Sequence, residues 1–436
     1  MHLNLMCRPI RSSETARRLA SLILCGLALG CVSLHGTVSA TNVNLATLLY
    51  YVAASGSDGN SGTNLDQPLA TLVRAAELAE PGDVICVRGG TYHSATRIRL
   101  ARGGKPAQPI RVCSFADEHP VFDFTAQRFA PTNCGIDVSG SWWWIDGLEI
   151  FGAGSSGIHI TGHSNVVERC VVHHCRQSGI AISQPGSHNL VLDCDSFRNF
   201  DYDAGTNNTH GEDADGFAAK FGIGPGNVFS GCRTWENADD GWDLWKATNA
   251  VVITNCWSFR NGTNFMHDPL FSGDGNGFKL GGFYYPGPHH LMNCVAFDNP
   301  HNGFDQNNNT AGLTLDHNTA WANGDSNFQL THGSNTVPHV LRNNLSLAGG
   351  KPDAFRPGSL MTNNSWQVVS PPANTNDLLN VDSSLALAPR RTDGGLPETP
   401  FLRPMPGGRL TDKGVNLGHP FLGVAPDLGA FESPTR

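Results

Sequence analysis

Four aspartates and one lysine fall at matching points of a repeat in the middle of the chain. They are Asp215, Asp239, Asp240, Asp243 and Lys279. Carboxylates held close together repel one another unless they take up protons or bind a cation. Because the set offers hard oxygen ligands and neither cysteine nor histidine, it suits Ca²⁺ better than Zn²⁺. The pattern therefore predicts a calcium site with an amine beside it.

Aspartate is also a common turn residue, and this is our interpretation of Asp213 and Asp274. The other four differ because solvated turn acids have no reason to stack in register beside a lysine. Three further basic residues are candidates for contact with an anionic sugar chain: Lys220, Lys246 and Arg260. Because a lone basic residue is usually only part of the surface, we interpret them as surface residues. The adjacent pairs His173-His174 and His289-His290 are interpreted as structural or solvated.

The repeat is marked by cysteines separated by 24, 38, 24 and 38 residues: Cys170, Cys194, Cys232, Cys256 and Cys294. Asn318 continues the series of markers 24 residues later. An aromatic residue follows three positions after a marker: Phe197, Trp235, Phe259, Phe297 and Trp321. Asparagine follows five positions after it: Asn199, Asn237, Asn261, Asn299 and Asn323. Short β-prone segments between Gly, Asn and Asp, recurring at a fixed period, indicate a solenoid of strands. The fold class is therefore all-β, a parallel β-helix, with the cysteines as mostly free thiols in its core.

A further set of predicted strands each starts with a glycine, and we call these the glycine-led strands. Side chains alternate between the two faces of a strand, which predicts which residues of these strands face outward. Trp242 and Phe278 are predicted to point inward, so Asp243 and Lys279 point outward on neighbouring coils. Two loops between the asparagine and glycine positions are much longer than the rest, at 199–216 and 261–277. Since they belong to the coils before and after Asp239 and Asp240, we expect them to wall a groove around the acidic residues.

The rest of the chain divides into four parts. Residues 1–40 read as a signal peptide, with four arginines before an apolar run and Val38-Ser39-Ala40 as the cleavage site. Residues 41–130 hold an N-terminal cap and the first coils, with a short helix predicted over 68–79. The β-helix with its catalytic groove occupies 131–365, and 366–436 form an irregular tail packed on the helix, or else a linker.

Charge and the leader limit the partners. The four arginines and one glutamate of residues 1–40 contribute +3 to the net charge of −9, so the remainder carries −12. Such an acidic chain is not expected to bind nucleic acid, and a bound divalent cation would be needed before it takes a polyanion. No later segment is expected to cross a membrane. We expect a secreted monomer, extracellular or periplasmic.

The site residues and their spacing resemble the family-nine polysaccharide lyases, pectate lyases built on a right-handed parallel β-helix. The similarity lies in Asp215, then Asp239-Asp240-Gly-Trp-Asp243, then Gly-Phe-Lys279. It implies that the four aspartates bind Ca²⁺, that Lys279 is the Brønsted base, and that the substrate is polygalacturonate in pectin, cleaved by β-elimination. Two alternatives stay open: a lyase or C5-epimerase on another uronate polysaccharide such as rhamnogalacturonan, and a non-catalytic polysaccharide-binding adhesin.

Overall fold

The computed structural model describes residues 47–202, 209–331 and 337–434, and the predicted signal peptide lies outside them. Each complete coil contributes one strand to each of three parallel sheets, and each inner strand pairs with its equivalents on the coils before and after. Strand pairing between equivalent positions of successive coils makes this a parallel β-helix, as the repeat predicted.

Sheet 1 has twelve strands: β1 (Leu49–Val52), β2 (Val84–Val87), β5 (Ile110–Ser114), β8 (Trp143–Asp146), β11 (Val166–Glu168), β14 (Leu190–Leu192), β17 (Asn227–Ser230), β20 (Val251–Thr254), β23 (His290–Met292), β26 (Thr314–Asp316), β29 (Val340–Arg342) and β32 (Leu360–Thr362). Sheet 2 has ten: β4 (Ile98–Arg99), β7 (Ile136–Val138), β10 (Ile158–Ile160), β13 (Ile180–Ile182), β16 (Phe217–Ala219), β19 (Trp242–Asp243), β22 (Phe278–Lys279), β25 (Phe304–Asp305), β28 (Phe328–Leu330) and β31 (Ala354–Phe355). Sheet 3 also has ten: β3 (Gly90–His93), β6 (Pro120–Asp123), β9 (Glu149–Phe151), β12 (Val171–His173), β15 (Asp195–Phe197), β18 (Arg233–Trp235), β21 (Trp257–Phe259), β24 (Val295–Phe297), β27 (Thr319–Trp321) and β30 (Leu345–Leu347).

The interior is built from stacks of equivalent residues. In sheet 2, the rings of Phe217, Trp242, Phe278, Phe304 and Phe328 stack with centroids 4.7–5.0 Å apart. The marker cysteines are fully buried, free thiols, as predicted: Cys170, Cys194, Cys232, Cys256 and Cys294. Because every coil buries the same positions against the next, the apolar core is continuous along the axis.

An asparagine ladder fixes the turn after sheet 3. Each side-chain Nδ2 donates to Oδ1 of the next member at 2.8–3.1 Å, in the order Asn199, Asn237, Asn261, Asn299 and Asn323. The same Oδ1 atoms also accept the backbone N–H of the preceding member. The ladder thus satisfies buried backbone donors in the turns, which an apolar residue there would leave unpaired.

The N-terminal helix, α1 (Leu72–Leu78), is shorter than the predicted span of 68–79. It begins late because the Asp58 carboxylate accepts the backbone N–H groups of Ala70 and Thr71, both at 2.9 Å, in a non-helical conformation. Thr71 then caps the helix by accepting from Arg74 N. The buried face of α1, which includes Leu72, packs on the first strands and extends the apolar core.

The C-terminal segment contains α2 (Ser365–Val368) and two 3₁₀ turns, Thr375–Asp377 and Ser383–Leu387. Its apolar side chains pack on the outer face of sheet 3, where the ring of Phe401 lies 4.9 Å from that of Phe297. No helix in the described ranges is long and apolar enough to span a membrane.

Candidate functional site

The outer face of sheet 2 carries a row of outward residues across three coils, and two of them are charged. Ala218, Asp243 and Lys279 are direct partners on β16, β19 and β22. Their neighbours Trp242 and Phe278 are fully buried in the core. The register predicted from alternation is therefore present, with Asp243 and Lys279 side by side on the outside of the helix.

Asp215 and Asp240 lie two residues before β16 and β19 begin, in the turns that lead into these strands. The backbone N–H of Gly216 donates to Asp240 O at 3.0 Å, which stacks these turns. A side chain at Gly216 or Gly241 would collide with the Thr234 or Ser258 hydroxyl of the adjacent coil turn. The glycines therefore allow the close approach that brings the two carboxylates together.

The four aspartates form a compact buried cluster. One carboxylate oxygen from each of Asp215, Asp239, Asp240 and Asp243 lies within 4.8 Å of the others, and the residues are 0–2% exposed. This brings together all four of the predicted ligands. Such a set of buried acidic oxygens is the chemistry that a hard divalent cation requires.

Protein donors hold each carboxylate in place. The hydroxyl of Ser178 donates to Asp215 Oδ2 at 2.8 Å. Backbone N–H groups bind one oxygen of each remaining aspartate at 2.7–2.8 Å: Asp274 N to Asp239, Asn276 N to Asp240, and Trp245 N to Asp243. The cluster is therefore positioned before any ligand arrives.

Two of the buried oxygens lack hydrogen bonds. Asp215 Oδ1 and Asp240 Oδ2 accept none from any residue in the described ranges, although Lys279 Nζ lies 3.0 Å from the latter in an ion pair. An unsatisfied buried carboxylate oxygen is costly, and a bound cation would remove that cost. The residues present thus fit Ca²⁺.

Two lysines face the cluster, and only one was predicted there. Lys279 Nζ contacts Asp240, whereas Lys220 Nζ lies 2.9 Å from Asp215 Oδ2 and 2.6 Å from Asp243 Oδ2. Our interpretation of Lys220 as a surface residue was wrong. Lys220 lies two residues beyond Ala218, so the alternation that placed Asp243 outward also placed Lys220 outward beside it.

Asp274 is also part of the site and is not merely a turn residue, as we had interpreted it. Its Oδ2 accepts a hydrogen bond from Lys279 Nζ at 2.8 Å. The Asp274 side chain is 54% exposed, whereas that of Lys279 is 12% exposed. Lys279 is therefore held between a buried and an exposed carboxylate, with its amine at the mouth of the site.

Negative charge exceeds positive charge here, with five carboxylates facing two ammonium groups. Burial, followed by the charge of Asp240, raises the pKa of Asp239 well above its usual value. Burial also raises the pKa of Asp240 to about 7, against the opposing effect of Lys279. For Lys279, burial favours the neutral amine, but the carboxylates led by Asp240 outweigh it and raise the pKa well above 10.5.

The two long loops meet one another beside the cluster. His210 forms a backbone bridge with Phe271, and His210 Nδ1 lies 2.8 Å from Asp268 Oδ2. Phe200, Phe265 and Phe271 pack together beneath this contact. In the described part of both loops, they form one joined wall next to Asp239.

The other candidates lie away from the aspartates. His289 is buried and accepts Val251 N at 3.1 Å, and burial lowers its pKa to about 3. His173 stacks on Phe197 with centroids 4.8 Å apart. Arg260 donates to Ser383 Oγ in the C-terminal segment. These residues are structural in the described molecule, in agreement with the interpretation of the histidines.

The fold and the acidic site define a class, the parallel β-helix proteins with a buried acidic cluster on the outer face of one sheet. Residues 50–344 match the family described as the Pel9A-like right-handed β-helix region. A pectate lyase L of Dickeya chrysanthemi is 39% identical over 396 residues, covering 88% of this chain and 90% of that protein. The chain belongs to the Pel9A-like right-handed β-helix family, which confirms the predicted resemblance and the enzyme class, a polysaccharide lyase.

Solved structures agree with this membership. The crystal structure of the pectate lyase Pel9A superposes with a TM-score of 0.81 at 37% identity, covering 90% of this chain and 98% of that one. A rhamnogalacturonan lyase superposes with a TM-score of 0.71 at 27% identity, covering 81% and 96%. The right-handed parallel β-helix is thereby confirmed.

Proposed function

We propose that the protein is a Ca²⁺-dependent pectate lyase that cleaves polygalacturonate by β-elimination. The observation that carries the proposal is the row on sheet 2, where a nearly buried lysine lies beside four clustered aspartates. The relatives named pectate lyase, among them the one from Dickeya chrysanthemi, support the substrate. Asp215, Asp239, Asp240 and Asp243 are the proposed Ca²⁺ ligands.

Lys279 is the proposed Brønsted base. In its neutral form, Nζ takes the proton from C5 of a uronate ring, and the C–H electron pair forms the C4–C5 double bond. The C4–O bond to the leaving sugar breaks, its electron pair stays on the oxygen, and that oxygen takes up a proton from solvent. A bound Ca²⁺ supplies positive charge for the substrate carboxylate, on which negative charge develops as C5 loses its proton. Because Lys279 can accept a proton only when neutral, and a free lysine has a pKa of about 10.4, activity is expected to increase toward alkaline pH.

Lys220 has a supporting part in this proposal. Its ammonium bridges Asp215 and Asp243, so it limits the repulsion between two carboxylates that must lie close together. It also adds positive charge on the side of the cluster opposite Lys279. Both effects favour an anionic ring lying over the aspartates.

A rhamnogalacturonan is the second candidate substrate, because a rhamnogalacturonan lyase shares the fold at 27% identity. A C5-epimerase would return a proton to the ring, and an adhesin would leave the chain intact. The deciding experiment incubates the protein with polygalacturonate or rhamnogalacturonan and follows the ultraviolet absorbance of the unsaturated product. Faster product formation from rhamnogalacturonan would contradict the proposed substrate, and absorbance from neither would contradict a lyase.

Secretion as a monomer is part of the same proposal, since polygalacturonate is a large extracellular polymer. The predicted signal peptide, residues 1–40, supports export. The assay that tests it follows the mature N-terminus: cleavage after Ala40 is expected, and recovery of the intact chain inside the cell would contradict export.

A further inference from the structure

Exposed aromatic side chains are concentrated at one edge of the site. In the described ranges, the large exposed aromatic residues are Phe221, Phe283, Tyr284 and Tyr285, at 38–62% exposure. Phe221 directly follows Lys220, and the other three follow Lys279 within six residues. We name Phe221, Trp245, Lys246, Phe283 and Tyr284 the aromatic shelf.

Contacts within the shelf give it a defined shape. The Trp245 ring lies 5.4 Å from that of Phe221 and 6.0 Å from that of Phe283. Lys246 Nζ lies 3.9 Å from the Trp245 ring and 4.3 Å from the Phe283 ring. Cation–π contacts of this kind hold the ammonium at the aromatic surface. The shelf therefore presents rings and one positive charge together.

The shelf is joined directly to the cation site. Trp245 N donates to Asp243 Oδ1 at 2.8 Å, so one residue holds a site carboxylate and carries the central indole. Gly281 and Gly282 have φ of 144° and 154°, and a side chain on Gly282 would collide with the indole. Gly282 thus lets the indole lie against the backbone of the next coil.

Charge indicates what the shelf binds. Lys220 and Lys279 are paired with site carboxylates, whereas Lys246 has no ion pair with any carboxylate in the described ranges. A uronate ring offers an apolar C–H face to an aromatic ring and a carboxylate to an ammonium. Trp245 lies in the turn that follows β19, two residues beyond Asp243, so the shelf directly adjoins the acidic cluster.

We propose that the aromatic shelf is a subsite that binds a uronate ring adjoining the ring cleaved over Lys279. Trp245 and Phe283 contact the face of the sugar, and Lys246 contacts its carboxylate. This inference rests on the proposed function for its choice of ligand. The joined loops beside Asp239 and the shelf beyond Asp243 then bound the two sides of the substrate groove.

The experiment compares Trp245→Ala, Phe283→Ala and Lys246→Gln with the wild type on polygalacturonate. Loss of a stacking or cationic contact is expected to raise KM about tenfold for Trp245→Ala and about threefold for the other two, with kcat nearly unchanged. The Lys246→Gln effect should shrink at high ionic strength because it removes a charge that is partly accessible to solvent. The matched control is Trp142→Ala, a half-buried tryptophan four coils away, which should leave KM unchanged.

A binding measurement makes the result independent of turnover. Calorimetric titration of polygalacturonate into Lys279→Ala, with and without Trp245→Ala, should show the same loss of affinity. If Trp245→Ala unfolds, Phe283→Ala decides, because that side chain is 62% exposed.

Unchanged KM and affinity in all three variants would overturn the subsite, and so would a fall in kcat alone. Weaker self-association in sedimentation with unchanged KM would assign the shelf to a second copy of the chain, which also overturns it. If the wild type yields no unsaturated product from polygalacturonate, the proposed function fails. Titration of the wild type and Trp245→Ala then still tests the shelf, and equal affinities would reject it.

Discussion

Two buried acidic groups on neighbouring faces of the β-helix differ in how completely they are paired. On sheet 3, the Asp195 carboxylate receives Arg233 at 2.8 and 2.9 Å and Arg390 at 2.7 and 3.1 Å. On sheet 2, Asp215 Oδ1 accepts no hydrogen bond in the described ranges, and Asp240 Oδ2 has the ion pair with Lys279 but no hydrogen bond. Full pairing is what a structural contact needs, whereas surplus carboxylate oxygens are what a cation needs.

The same contrast extends to what covers each group. Arg390 belongs to the C-terminal segment and also donates to Cys194 O and Gly231 O, so the Asp195 group fastens that segment to sheet 3. The aspartates of sheet 2 instead lie between the joined loops and the aromatic shelf. We therefore expect changes at Asp195 to alter stability and changes at the sheet 2 site to alter activity.

The largest expected effect is on catalysis by Lys279→Ala. Removal of a general base should lower kcat by about 10²–10⁴-fold, while the circular dichroism spectrum and Ca²⁺ binding remain. The matched control is Gln329→Ala, two coils further along the same outward row, which should keep full activity. A Lys279→Ala enzyme with more than about a hundredth of wild-type kcat would contradict the assignment of the base.

Asp240→Asn should lower activity and weaken the response to Ca²⁺. Chelation should stop the wild-type reaction, and Ca²⁺ should restore it better than Mg²⁺, which prefers a smaller, water-rich octahedral site. At about a hundredfold excess over Kd, Ca²⁺ should stabilise the wild type by about 2.7 kcal/mol, measured as a shift in Tm, and Asp240→Asn by less. Equal Ca²⁺ shifts in both proteins would remove Asp240 from the ligand set.

Asp195→Ala should destabilise the fold by about 3 kcal/mol because it leaves two arginines buried without their carboxylate. Denaturant unfolding measures this. The control is Asp393→Ala in the same segment, whose ion pair with Arg391 is half-exposed and contributes under about 1 kcal/mol. Similar losses for the two variants would show that the Asp195 group does not fasten the segment.

The smallest effect is an acid dependence of stability. Burial alone would raise the pKa of Asp195, but Arg390 and Arg233 outweigh burial and hold that pKa below 3.8. The stability that Asp195 contributes is therefore fully present above the pKa of an aspartate in the unfolded chain, about 3.9. It is lost as the pH falls through the lower pKa that Asp195 has in the folded protein. Free energies of unfolding between pH 5 and 3 should fall more for the wild type than for Asp195→Asn, and parallel curves would contradict this.

Sequence periodicity was enough to predict the parts of the molecule that follow the repeat. Asp243 and Lys279 could be placed because the repeat predicts the strand register, and the alternation along each strand predicts which side chains point outward. Lys220 and Asp274 were missed because their roles depend on side-chain reach and on the path of a long loop. The helix boundary was misjudged because Asp58, more than ten residues earlier, holds Thr71 outside the helix.

The contacts of the C-terminal segment and of the aromatic shelf could not be predicted from the repeat either. Neither repeats, so nothing in the spacing indicated that Arg390 would contact Asp195, or that Phe221 and Phe283 would both contact Trp245. Long-range contacts of this kind arise from chain path and shape, which a periodic pattern does not encode.

The asparagine ladder has a consequence for how such enzymes diversify. Both long loops leave the coil after a ladder asparagine, Asn199 or Asn261, and return before the next glycine-led strand. The ladder bonds from Asn199 to Asn237 and from Asn261 to Asn299 keep ordinary lengths across these insertions. Loop length at this corner is thus uncoupled from strand register, so evolution or an engineer can exchange the walls of the groove without re-aligning the residues beneath it.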